Sequence, residues 1–309
     1  MRPFRFGVQL SAAPDGKAWR DRARRIEDLG YSTLFLPDHF GDQWAPLVAL
    51  TAAAEATTTL RVGSLVFDND YRHPVELAKE IATLDLLTEG RVEFGIGAGW
   101  MKSDYDELGI PYDRPGVRID RMVEGLEIMK DLWATGTSTR AGKHYTVTGA
   151  QGLPRPHSSP HPPLIIGGGG RRVLSIAARE ADIVGFNPSL AAGYVGPEVA
   201  ATTTAGAYAE RVAWVRQAAG DRLESLEFQC MVFFCQVVPN RDEIVANLAP
   251  MFGLTPEEAD RVPIVLLGTV DEICETLEQR RGEYGFSYWV VHEPEMEAMA
   301  PVVARLAGT

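Results

Sequence analysis

An acid and an imidazole stand side by side at Asp38-His39, directly after the apolar run Thr33-Leu34-Phe35-Leu36 and Pro37. Such a run suits a parallel strand covered on both faces, and in sheets or barrels of parallel strands the reacting groups gather at the carboxyl ends. An imidazole titrates near neutrality, so His39 at such an end is suited to general acid/base work, with Asp38 to orient or polarise it. His39 reads as the one histidine at a strand end with an acid beside it. The plainer alternative makes Asp38 the cap of the following turn and His39 a satisfied surface residue.

Gly167-Gly168-Gly169-Gly170-Arg171-Arg172 is a second feature, lying between an apolar run and a helical pattern. Glycines let backbone N–H groups approach a ligand, and a helix start adds partial positive charge, so this run is a candidate phosphate cradle. The alternative is a flexible turn with two solvated arginines. Gly97-Ala98-Gly99-Trp100 ends another apolar run, where small residues would let a flat ring lie against the backbone. Trp100 and Trp44 could wall a pocket or simply cover the core. Gly95, Gly97 and Gly99 do not make the dinucleotide fingerprint, because the third glycine comes one residue early. His144, His157 and His161 are expected to be solvated. The prolines at 160 and 162 prevent a helical metal pair at His157 and His161, and no metal site is expected. No nucleophile-elbow serine is present.

Strands and helices alternate around these residues. Strands are expected at 4–10, 33–36, 60–67, 91–96, 163–166, 182–186, 226–238 and 286–291, with a closing helix at 295–306. A hairpin is expected around 143–147, and irregular chain at 101–116 and 190–198. Eight strands alternating with helices argue for an α/β protein of the (β/α)8 barrel type, a single domain over residues 1–309, with a doubly wound open sheet as the alternative. A chain of 309 residues that is 45% hydrophobic can bury a large core. A formal charge of -12 argues against nucleic-acid binding and requires a local positive cradle for any anionic ligand. Cys230, Cys235 and Cys274 show neither metal nor CxxC spacing, which fits a reducing cytoplasm. No apolar run approaches a membrane span and no leader pattern is seen, so a cytoplasmic location is expected.

Taken together the residues resemble the luciferase-like flavin and deazaflavin oxidoreductases, over nearly the whole chain. The resemblance is carried by Phe6-Gly7-Val8-Gln9, Leu36-Pro37-Asp38-His39, Arg72-His73-Pro74, Glu89-Gly90-Arg91, Gly95-Ile96-Gly97-Ala98-Gly99-Trp100, Ile166-Gly167-Gly168-Gly169-Gly170 and Ala300-Pro301-Val302-Val303, in that order. Within the family the chain is most similar to the branch that uses coenzyme F420, a deazaflavin. The resemblance implies a barrel with the cofactor ring at the carboxyl ends of the strands, faced by Asp38 and His39. It implies a bulge within Ser64-Leu65-Val66, often with a non-prolyl cis peptide, that backs the ring. It places the cofactor phosphate near Gly97 to Trp100, Gly167 to Arg171 and Asn187, leaving Trp44 and Trp100 to wall the substrate. It further implies hydride transfer to or from a small organic substrate, and a homodimer. FMN with oxygen chemistry is the alternative, and a non-catalytic flavin-binding barrel a second. Sugar-phosphate dehydrogenases of the family carry a glutamate directly after the glycines of the fourth strand. Trp100 stands there, so that substrate does not transfer.

Overall fold

A computed structural model describes residues 1–194 and 196–309 of the chain, without the side chains of 197, 251 and 252. Position 195, inside the segment expected to be irregular, lies outside the described residues. The principal strands are β1 (Arg5–Gln9), β2 (Thr33–Leu36), β3 (Arg61–Ser64), β4 (Val92–Gly97), β5 (Leu164–Gly168), β6 (Ile183–Phe186), β7 (Glu227–Met231) and β8 (Phe286–His292). They are ordered β3-β2-β1-β8-β7-β6-β5-β4, and β3 also pairs with β4, which closes the sheet into an eight-stranded barrel. The β1–β8, β7–β8, β6–β7 and β3–β4 pairings are parallel. Every residue of β2, β4 and β6 is buried, as expected where helices cover one face and the barrel interior the other. The (β/α)8 expectation holds, and the open-sheet alternative does not.

Contacts gather the chain into two compact units, one of residues 1–10, 25–34 and 166–309, the other of residues 11–24 and 35–165. The first has an aromatic core in which Phe286 meets Phe186 at 5.1 Å, Tyr284 at 5.2 Å and Trp289 at 5.7 Å between ring centroids. The second is built on Phe94, which stacks obliquely on Phe67 at 6.0 Å and takes the edge of Trp133 at 5.2 Å. Its long helix, Pro115–Thr135, starts on a proline and stops at Gly136, whose φ of 86° closes the last turn.

Three elements differ from the sequence expectation. The apolar run 226–238 is not one strand: β7 ends at Met231, and Phe234–Val237 forms a separate parallel pair with Val265–Gly268. That partner strand was not anticipated, because four apolar residues after a proline have no period to read. Helix Lys102–Leu108 occupies chain expected to be irregular, being too short and polar to show an apolar stripe. The third strand is interrupted after Ser64 and resumes as Phe67–Asp68 beside β4, with a cis peptide between Leu65 and Val66 where the resemblance implied one. The hairpin is present as Thr137–Ala141 and Thr146–Gln151. No helix among the described residues is long and apolar enough to cross a membrane.

Candidate active site

His39 follows β2 by three residues and is partly exposed, its side chain at 18%. Its Nδ1 lies 2.6 Å from Oδ2 of Asp104, which is buried on the helix Lys102–Leu108. A carboxylate only accepts, so Nδ1 carries the proton and Nε2 is left as an acceptor. No hydrogen bond to Nε2 occurs among the described residues. The adjacent acid does not orient His39. Asp38 is gripped by Arg72, whose Nη1 and Nη2 donate to Oδ2 at 2.5 Å and to Oδ1 at 3.0 Å, and the Asp68 N–H donates to Oδ2 at 3.0 Å. Three of its roughly four lone-pair sites are therefore taken up by structure, and the group that orients His39 is Asp104. Adjacent residues after a strand point different ways, so proximity in sequence misled.

A buried polar cluster extends from Asp104. The Tyr71 hydroxyl donates to Asp104 Oδ2 at 3.0 Å, and Tyr105 Oη donates to Asp70 Oδ2 at 3.0 Å with Asp68 Oδ2 at 3.3 Å. Arg121 pairs with Asp70 at 2.9 Å and also with Asp113. Asp68 has no cation within ion-pair distance among the described residues. Burial pushes its carboxyl up to about 7, and the charges of Asp70 and Asp38 push the same way against the Asp70 N–H. Burial also raises the Tyr71 and Tyr105 hydroxyls, so both remain protonated donors.

The glycines at the end of β4 leave no room for a side chain. A Cβ at Gly97 would lie 2.7 Å from Val66 Cγ2, and one at Gly95 would lie 2.1 Å from the Ser64 carbonyl. At Gly99, with φ +70°, a Cβ would meet Tyr105 Oη at 2.0 Å and Asp68 Oδ2 at 2.3 Å. These glycines make room for the Ser64-Leu65-Val66 bulge and the acidic cluster. Buried Arg118 pins the loop by donating to the Ala98 carbonyl at 3.2 Å and the Gly99 carbonyl at 3.3 Å. Trp100 sets its ring edge-on to His39 at 5.5 Å. Trp44 instead leans on buried Trp19 at 5.2 Å.

The other unit holds Gly167 to Arg171 and Asn187. Close approach explains three of the four glycines: Gly167 faces the Asn187 amide, Gly168 faces Val173, and Gly169 lies against the Pro188 carbonyl. Gly170 opens the helix Arg171–Glu180 without a side-chain cap, and a Cβ there would meet nothing within 4 Å. Arg171 is exposed and reaches Gln217 at 3.4 Å. Buried Gln229 on β7 has an Nε2 with no partner among the described residues, an orphan donor that sequence reading missed. His292 ends β8 with Glu293 beside it, so His39 is not the one histidine in such a setting. Burial lowers the His292 imidazole, and its ring packs on Phe233 at 6.0 Å. Of the loop histidines, His144 and His161 are half-buried and His157 is exposed. No cluster of metal-ligating residues occurs among the described residues.

A sequence model of the luciferase-like monooxygenase family matches residues 1–284, and the chain belongs to that family. It is 30% identical over 190 residues to an F420-dependent glucose-6-phosphate dehydrogenase of Microbacterium testaceum, a match covering 58% of this chain and 55% of that protein. Among solved structures it is similar to the coenzyme F420-dependent tetrahydromethanopterin reductase of Methanopyrus kandleri, with a TM-score of 0.77 and 19% identity over 99% of this chain and 98% of that one. It is also similar to a riboflavin lyase solved with modified FMN and riboflavin, with a TM-score of 0.78 and 16% identity over 98% and 91% of the two chains.

Proposed function

We propose that this protein is an F420-dependent oxidoreductase that moves a hydride between the deazaflavin and a carbon of a small organic substrate, with His39 exchanging the accompanying proton. The observation that carries the proposal is the His39–Asp104 pair: a buried carboxylate fixes Nδ1–H at 2.6 Å and leaves Nε2 unoccupied at the end of a barrel strand. A base so oriented takes a proton from an alcohol or returns one to a carbonyl or imine. Bound deazaflavin would supply hydride chemistry. Within the unit of residues 166–309, the glycine-lined start of the helix Arg171–Glu180 suits an anionic group, and the Gln229 amide suits a polar ligand atom. Trp100 packs edge-on against the His39 ring.

The test is binding of F420 and of FMN to the purified protein, side by side, by fluorescence quenching. Binding of F420 without FMN is expected, followed by turnover in a panel of secondary alcohols, imines and activated alkenes. His39→Ala should keep F420 binding and lose turnover by at least about a hundredfold. Binding of FMN alone, with oxygen uptake by the reduced form, would replace this reading by a flavin monooxygenase. Binding of either without turnover would leave a non-catalytic barrel.

A further inference from the structure

Apolar side chains beside His39 remain open to solvent. Phe40, the next residue, is 41% exposed and leans on Tyr71 at 5.3 Å between ring centroids. Tyr71 in turn donates to Asp104 Oδ2, the oxygen that also holds His39 Nδ1. The ring of Trp100 stands perpendicular to the imidazole at 5.5 Å. Leu108 is 39% exposed and lies one turn beyond Asp104 on the helix Lys102–Leu108, where residues four apart share a face. All of these residues belong to the unit of residues 11–24 and 35–165. Apolar groups gathered in this way beside an unpartnered imidazole nitrogen mark a ligand surface.

The cations on the same elements show what that ligand is not. Arg72 gives both of its terminal nitrogens to Asp38. Arg121 bridges Asp70 and Asp113, and buried Arg118 donates to the carbonyls of Ala98, Gly99 and Asp113. Lys102 pairs with Asp106 at 2.6 Å. An arriving phosphate or carboxylate would have to break one of these bonds, and would meet the aspartates that they hold. A negative charge taken out of water without a partner is strongly disfavoured. We propose that the substrate is an uncharged alcohol bearing an aromatic or branched apolar group, or the carbonyl compound made from it. Its hydroxyl donates to His39 Nε2 and its apolar group lies against Phe40 and Trp100. This names the substrate class of the function proposed above and rests on the role of His39 in it. Sugar phosphates and carboxylic acids are turned away by the same arrangement.

The experiment is a ligand-observed NMR titration of the purified protein, with and without F420. The probes are benzyl alcohol, benzamide and benzoate, which share a ring and differ in charge. The two neutral probes should bind at least about tenfold more tightly than benzoate. Phe40→Ala should weaken both neutral probes by about fivefold or more, and Phe40→Leu should restore part of that loss. Benzoate binding as tightly as benzamide overturns the proposal. So does the absence of binding by either neutral probe in both conditions, or binding that Phe40→Ala leaves unchanged. If Phe40→Ala does not fold, Trp100→Ala decides in its place by the same criterion. The comparison of charges needs no cofactor, so failure of F420 to bind would remove the function proposed above and leave this result standing. Turnover with F420 confined to phosphorylated or carboxylated substrates would do the opposite.

Discussion

Asp38 and Asp104 are both buried carboxylates of the same unit, and their surroundings give them opposite work. Asp38 is one half of a bidentate pair with Arg72, in which each partner satisfies a charge removed from water. Removing one half of such a pair leaves the other uncompensated. Asp38→Asn should therefore cost about 3 kcal/mol of stability, read as a lower urea midpoint, with little change in the tautomer of His39. Asp104→Asn should do the reverse. Its amide can present a donor to the imidazole, so Nδ1–H is no longer enforced and the 15N shifts of His39 move toward the Nε2–H form, while stability changes by about 1 kcal/mol or less. Equal loss of stability in both variants would contradict this division. In the sequence, His39 was legible because a strand end and an imidazole can be read locally. Asp104 was not, because it stands sixty-five residues away on a helix with no apolar stripe. Likewise Arg72-His73-Pro74 showed as a pattern, but its physical sense needs the structure. Arg72 holds Asp38, the His73 Nδ1 accepts from the Val75 N–H at 3.3 Å, and Pro74 starts a helix.

At the scale of elements, the barrel strands could be read because each is a short apolar run between turn residues. What could not be read was where a run leaves the sheet, as at 232–233, or where two backbones touch. The glycines of β4 show the second difficulty. They looked like space for a ligand, and the structure shows that a Cβ at these positions would meet Val66, Tyr105 and Asp68. Gly99→Ala should therefore be costly, because φ of +70° disfavours a side chain and the new methyl enters the Tyr105–Asp68 contact. A loss of about 3 kcal/mol is expected in denaturant unfolding. Gly170→Ala is the comparison, with negative φ and open space at its Cβ, and should change stability by less than about 0.5 kcal/mol. If the two substitutions cost the same, close packing is not what holds the end of β4.

For the whole molecule, the acidic cluster leaves a mark on stability against pH. The Asp68 carboxyl rises from 3.8 to about 7 on folding, so between those values the folded chain holds a proton that the unfolded chain has lost. Stability must then fall as pH rises through that interval and level off above it. Each tenfold change in proton affinity is worth about 1.4 kcal/mol, so the loss from this one group is on the order of a few kcal/mol. His292 acts in the other direction, since burial lowers its imidazole and the folded chain resists a proton that the unfolded chain takes up. Its contribution is lost as pH falls from neutrality. The capping carboxylate Glu272, held low by the Thr269 N–H and hydroxyl, also favours higher pH. Wild-type protein is therefore expected to be more stable near pH 5 than near pH 8, against the trend of most carboxylates. Asp68→Asn, which is neutral at both, should flatten that difference and gain stability chiefly at pH 8. Urea unfolding of both proteins at the two pH values measures it. A wild-type protein more stable at pH 8, with the same pH difference retained in the variant, would mean that Asp68 is charged in the folded state at neutral pH and that its neighbours accommodate the charge.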